Sequence, residues 1–196
     1  KGVASCARKF NVDVIGGDTN RSGKLVIDCF IAGTVEEKCL TLRSGAKPGD
    51  HIFVSGPLGG SLSGKHLTFE PRLKESRFLV KNFRVTSMID LSDGLGVDLN
   101  RVSTASALGA IIFENKIPKA QGVTNIKNAL FDGEDFELLF TLSAQDSLRL
   151  LSMVNKKKIK MPFYPIGRLT DLFSGVRMMT RRGEVEKVGC DGFKHF

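Results

Sequence analysis

The sequence predicts an α+β fold, a mixed sheet with helices packed on it, and three observations point there. Segments with apolar residues at helical spacing alternate with short runs rich in Val, Ile and Phe, the signatures of period 3.6 and period 2. The alternation keeps no strict strand–helix–strand rhythm, which favours a mixed sheet with helices on one side over a doubly wound parallel sheet. With 196 residues, 41% hydrophobic and 26% charged, the chain can bury one good core, or one domain plus part of another.

The elements follow in order. Residues 2–10 read as the end of a helix, so the chain is expected to be N-terminally truncated. Residues 11–16 read as a short strand broken at Gly16-Gly17, and residues 24–33 as a longer strand with Leu25, Ile27, Cys29 and Ile31 on one face. Residues 43–50, Arg43-Ser-Gly-Ala-Lys-Pro-Gly-Asp50, form a polar Gly/Pro break. The expected division is therefore residues 1–45, the end of a first domain, and residues 46–196, a second. Strands are predicted at 51–55, 85–89, 110–113, 136–141, 163–167 and 176–179, and helices at 73–81, 94–108 and 123–130. Leu95, Leu99, Val102 and Ala105 give the second helix its spacing. A further helix runs to Lys156, started by Ser143 with Asp146 in a capping-box-like pair and striped by Leu148, Leu151 and Val154.

Composition excludes several classes. No apolar run approaches the roughly 18 residues of a membrane span, and no signal-peptide pattern is present, so a cytoplasmic protein is expected. The net charge of +8 is dispersed. Its one tight run, Lys156-Lys157-Lys158, sits where a helix macrodipole is negative. With one Tyr and no Trp, the aromatic platform common to nucleic-acid modules is missing, and no nucleic-acid partner is expected. Cys6, Cys29, Cys39 and Cys190 show no C-x-x-C spacing, and read as reduced, mostly buried thiols. His51, His66 and His195 fall in no nucleophile pattern, so each reads as structural or exposed.

Three acidic clusters each sit at an end of a predicted strand: Gly16-Gly17-Asp18-Thr19, Asp90-Leu91-Ser92-Asp93-Gly94 and Asp132-Gly133-Glu134-Asp135. Glycine lets a backbone approach a phosphate, and carboxylates are the hard donors magnesium takes. Asp93 also precedes a helix N-terminus, where an anion is favoured. A turn or helix cap would use the same residues. Residues 59–66 match the P-loop spacing except that His66 replaces the hydroxyl residue that would bind magnesium. They read as a glycine-rich turn entering a short helix.

Five motifs in order resemble the thiamine-monophosphate kinase family: Gly16-Gly17-Asp18-Thr19 with Arg21-Ser22, the segment Arg43 to Asp50, Ile89-Asp90-Leu91-Ser92-Asp93-Gly94-Leu95, Gly133-Glu134-Asp135-Phe136-Glu137-Leu138-Leu139-Phe140, and the terminal Gly192-Phe193-Lys194-His195-Phe196. Pro71-Arg72-Leu73 fits as well. The resemblance implies the aminoimidazole ribonucleotide synthetase-like fold and homodimerisation through the N-terminal domain. It implies phosphorylation of thiamine monophosphate to thiamine diphosphate by ATP. Asp18, Asp90 and Asp93 would then hold magnesium, Gly17, Arg43 and Ser92 would contact ATP, and Glu134 and Phe193 would belong to the thiamine pocket. No enzyme nucleophile is expected. The alternatives are another ATP-using member of the superfamily, of the selenophosphate synthetase or hydrogenase-maturation type, or a non-catalytic nucleotide-binding domain.

Overall fold

A computed structural model describes residues 1–189. The chain falls into two compact units, Lys1–Thr34 and Val35–Phe196.

In the first unit, α1 (Gly2–Lys9) is the one regular element, with no buried residue. The strands expected at 11–16 and 24–33 are not formed. A strand is not a local structure, since its amides and carbonyls need a partner ladder, and the described residues supply none here. Side chains that alternation would place against a core stand in solvent instead, Ile15 at 91% and Phe30 at 92% exposure. The thiols depart from expectation too: Cys6 and Cys29 are exposed and Cys39 is half-buried. Cys190 lies outside the described residues.

Among the described residues, the second unit is built on one seven-stranded sheet. Its strands are β1 (His51–Val54), β2 (Ser87–Leu91), β3 (Gly109–Phe113), β4 (Glu137–Leu142), β5 (Tyr164–Thr170), β6 (Gly175–Met179) and β7 (Val185–Lys187). They lie in the order β2-β4-β1-β5-β3-β6-β7. Only the β3–β6 pair is parallel, so the sheet is mixed, as the sequence predicts. β7 escapes sequence reading because Val185-Glu186-Lys187 is exposed along its length and carries no alternation.

The expectation of helices on one side needs correction. Ile52, Val54 and Leu139 join one core with Leu95 and Leu99 of α4 (Leu95–Ala105) and Ala129 and Leu130 of α5 (Ile126–Phe131). Phe53, Phe140 and Leu142 join a second core with Leu79 of α3 (Leu73–Asn82) and Leu150 of α6 (Ala144–Asn155). A strand reading Ile-Phe-Val has no polar face to give to water, so both faces must be covered. The stacked pair Phe53–Phe140, with ring centroids 5.3 Å apart, lies in the second core. Ser143 caps α6 as expected, its hydroxyl accepting the Asp146 N–H at 3.2 Å, and Lys156, Lys157 and Lys158 are exposed beyond it.

This frame sets the loops. β2 and β4 are antiparallel neighbours with Leu91 opposite Glu137. The segment leaving β2 therefore meets the segment entering β4, and two acidic clusters distant in sequence become adjacent.

Candidate functional site

The turn after β2 is held from below by its own helix. Asp98, in the first turn of α4, is fully buried, and its Oδ2 accepts the N–H groups of Ser92 (3.1 Å) and Asp93 (3.0 Å). Arg101, one helical turn on, donates to Asp98 Oδ1 at 2.7 Å and also pairs with Asp93 Oδ2. Burial pushes the Asp98 carboxyl up, opposed by the Asp93 N–H and Arg101. Asp98 thus takes up the two backbone amides of the turn that leads into α4.

The acidic loop before β4 lies on the same turn. Glu134 N–H donates to Ser92 O at 2.7 Å and Phe136 N–H to Leu91 O at 2.8 Å. Its backbone is unusual: Glu134 and Phe136 adopt φ of 55° and 50°, a region that costs about 1–3 kcal/mol per residue and gathers at functional sites.

A third loop closes the arrangement, the glycine-rich segment that mimics a P-loop. Gly59 N–H donates to both Asp135 oxygens at 2.9 and 3.1 Å, and Gly60 N–H donates to Asp132 at 3.0 Å. Lys65 Nζ, at the start of α2 (Lys65–Thr68), pairs with Glu137 Oε1 at 3.0 Å. Two amides and the lysine that a P-loop would turn toward phosphate are spent on Asp135, Asp132 and Glu137. The reading of a glycine-rich turn entering a short helix therefore holds. At Gly59, φ is +85° and an added Cβ would lie 2.9 Å from Ala129 N, so only glycine brings this loop close.

Beneath them sits Glu137, fully buried. It accepts from Arg72 Nε at 2.7 Å and from a second Arg72 nitrogen at 2.6 Å, and from Ser55 Oγ at 2.7 Å. Burial alone would raise its carboxyl, but Arg72, Ser55 and Lys65 outweigh that and hold it below its ordinary value. Asp135 goes the other way: burial pushes it up to about 6 against the favourable Gly59 N–H and Lys65, with Glu137 and Asp132 adding to the rise. A carboxyl-carbon NMR titration is expected to show one carboxyl with a midpoint near 6, lost in Asp135→Asn; a midpoint at the ordinary 3.8 would refute the assignment. By linkage, a raised carboxyl makes folding more favourable at low pH, so this contribution declines between about pH 4 and 6 and is flat above.

The site residues named from sequence are distributed as follows. Ser92, Asp93 and Glu134 are brought together and are half-buried. Asp90 is exposed on β2, opposite Leu138. Arg43 is exposed in a bend of the second unit, while Gly17 and Asp18 are exposed in the first. There Asp18 accepts from Thr19 N at 2.8 Å. Phe193 lies outside the described residues. Among the described residues no group of three or more His, Cys, Asp or Glu stands where it could hold a metal ion. Sequence reading missed Asp98, Arg101, Lys65 and Glu137. A signal was there for the first two: an Asp in the first turn of a helix that follows an acidic turn, with Arg at i+3.

The chain is 33% identical to thiamine-monophosphate kinase of Rhodopirellula baltica over all of this chain and 63% of that protein. It is 36% identical to the enzyme of Buchnera aphidicola subsp. Acyrthosiphon pisum over 96% of this chain and 65% of that protein. The chain therefore spans just under two thirds of the length of these relatives. A solved structure, AaThiL complexed with AMPPCP and TMP, superposes with a TM-score of 0.59 at 28% identity, over 80% of this chain and 54% of that one. The family described as AIR synthase related protein, C-terminal domain, matches residues 47–178, a span that holds β1 to β5, nearly all of β6 and all three loops, and this chain belongs to that family.

Proposed function

We propose that this chain is part of a kinase that transfers the γ-phosphate of ATP to thiamine monophosphate, giving thiamine diphosphate. The observation that carries the reading is the joining of two acidic motifs across 42 and 45 residues of sequence, Glu134 N–H to Ser92 O and Phe136 N–H to Leu91 O, in a chain whose relatives over 96–100% of its length are named for that activity.

Phosphoryl transfer asks a protein for positioning and charge neutralisation more than covalent work. Residues 1–45 would belong to a first, nucleotide-binding and dimerising domain and residues 46–196 to the second, in a cytoplasmic homodimer. Gly17, Arg43 and Ser92 would meet ATP. With its N–H committed to Asp98, Ser92 has its hydroxyl left for a phosphate oxygen. Glu134 and Phe193 would meet the cationic thiamine ring, through charge and an aromatic face.

Asp18, Asp90 and Asp93 would hold magnesium. The donor chemistry fits: hard carboxylate oxygens, exposed at Asp18 and Asp90 and half-buried at Asp93. Magnesium is commonly held by one or two carboxylates together with substrate phosphates and water. When bound it supplies charge neutralisation at the phosphates. Direct transfer between two bound substrates needs no enzyme nucleophile, and no residue of the three loops is required to act as one.

The test is chemical. Full-length protein with ATP, magnesium and thiamine monophosphate is expected to yield thiamine diphosphate, and Asp93→Ala to lose magnesium-dependent ATP binding by calorimetry. Turnover of selenide or an aminoimidazole ribonucleotide precursor, with no thiamine diphosphate formed, would move the chain to another branch of the superfamily.

A further inference from the structure

We propose that Asp98, acting with Arg101, is a positioning residue that shapes the Ser92-Asp93 turn and presents the Asp93 carboxylate to a divalent cation. The inference rests on Asp93 being a metal carboxylate, as argued above, and concerns residues to which that reading gives no role.

Both oxygens of Asp98 are engaged, Oδ2 by two successive backbone amides and Oδ1 by a guanidinium. The side chain is fully buried, whereas Arg101 is 42% exposed. A turn needing only its amides satisfied could use a neutral hydroxyl or amide cap, which is easier to bury than a charge. A carboxylate here instead brings a second negative charge close to Asp93, and the two repel. Arg101 bridges them, donating to Asp98 Oδ1 and pairing with Asp93 Oδ2. Desolvation and like-charge repulsion thus oppose the arrangement, and its result is a turn whose amides and whose carboxylate are fixed from one helix.

That is the role of groups lying behind a metal's ligands. A ligand carboxylate held by an outer hydrogen bond keeps one oxygen tied and offers the other in a set direction, and loss of such a partner typically weakens metal binding about 10–100-fold. The chain places this support on α4, whose Leu95, Leu99 and Val102 are buried in the core, so the turn is referenced to the packed core of the unit. The spacing is specific. Residue 98 reaches back five and six positions to the amides, and residue 101 is one turn further along the same helix face.

Two substitutions separate the parts. Asp98→Ala removes both halves. Asp98→Asn keeps an oxygen for the amides but turns an N–H toward Arg101, releasing it. In the full-length protein without ligand, Asp98→Ala is expected to speed hydrogen exchange at the Ser92 and Asp93 amides at least about 10-fold, with Leu139 of the core unchanged. In magnesium titrations with ATP, Asp98→Asn is expected to raise the half-saturating magnesium concentration about 10-fold, at near wild-type melting temperature. A residue that merely stabilises the fold would lower the melting temperature and leave the magnesium midpoint in place.

Unchanged exchange at Ser92 and Asp93 in Asp98→Ala overturns the positioning role, and a midpoint within twofold of wild type in Asp98→Asn overturns the link to the cation. If Asp98→Ala does not fold, the magnesium midpoint of Asp98→Asn decides. Wild-type protein that takes up no magnesium, with Asp93→Ala indistinguishable from it, removes the functional reading and the cation link together. The exchange result then shows separately whether Asp98 sets the turn.

Discussion

Arg72→Ala is expected to lower the melting temperature by roughly 6–12 °C, the equivalent of about 3 kcal/mol in a chain of this size. Glu137 is fully buried and Arg72 supplies its two shortest ion-pair contacts, at 2.6 and 2.7 Å. Without the guanidinium a buried carboxylate keeps only Lys65 and Ser55. Breaking such a pair from one side costs about 3–5 kcal/mol, and the lower end applies because Arg72 is 30% exposed and Lys65 remains. The converse change, Glu137→Gln, is expected to cost less, since a partly exposed Arg72 can return to water while a buried Glu137 cannot. A Glu137→Gln protein less stable than Arg72→Ala would contradict this asymmetry. The pH dependence follows in sign. Glu137 is lowered from 4.5, so its pairing contributes fully above about that pH and is lost as pH falls through the folded value. The difference between wild type and Arg72→Ala is expected to be constant at neutral pH and to shrink below about 4.5.

Gly94→Ala is the second large effect, and it strikes both stability and the site. Gly94 adopts φ 102° and ψ 153°, a region essentially reserved to glycine. An added Cβ would lie 2.8 Å from the Leu130 carbonyl oxygen and 3.2 Å from Phe131 Cα. These are backbone atoms at the end of α5, so no side chain can swing away. Strain of about 1–3 kcal/mol from the dihedral combines with displacement of α5, for a total of about 3 kcal/mol by chemical denaturation. Because Asp93 directly precedes it, the magnesium-dependent ATP binding proposed above is expected to weaken at least about 10-fold as well. Gly122 gives the control: its φ is +85° and a Cβ there would meet nothing within 4 Å, so Gly122→Ala carries only the dihedral term, about 1 kcal/mol. Equal losses in the two variants would show that the contact with α5 has no weight.

The same carboxylate chemistry serves opposed ends across the three loops. Glu137 is kept charged by Arg72 and Lys65, while Asp135, two residues earlier, is pushed toward the neutral form by burial. At about 6 the Asp135 carboxyl is still mostly ionised at neutral pH, and both its oxygens accept the Gly59 N–H.

Period and punctuation in the sequence determined most of the second unit. The run Ile-Phe-Val announces β1, the Leu95 to Ala105 spacing announces α4, and Ser143 with Asp146 announces the start of α6, because these patterns encode local geometry and burial together. The acidic motifs were legible as residues for the same reason: Asp and Gly at strand ends have few other uses than turns, caps and ligands. Tertiary structure alone decided the rest. Whether residues 11–16 and 24–33 are strands depends on partners that no local pattern supplies. Whether helices cover one face or two depends on both sides of each strand at once. That the glycine-rich loop is spent on Asp132 and Asp135, and that Asp98 and Arg101 stand behind Asp93, depends on which chain segments the β2–β4 register brings within hydrogen-bond reach. Hydrogen bonds act over about 3 Å, and sequence distance carries no information at that scale until the sheet has set the register.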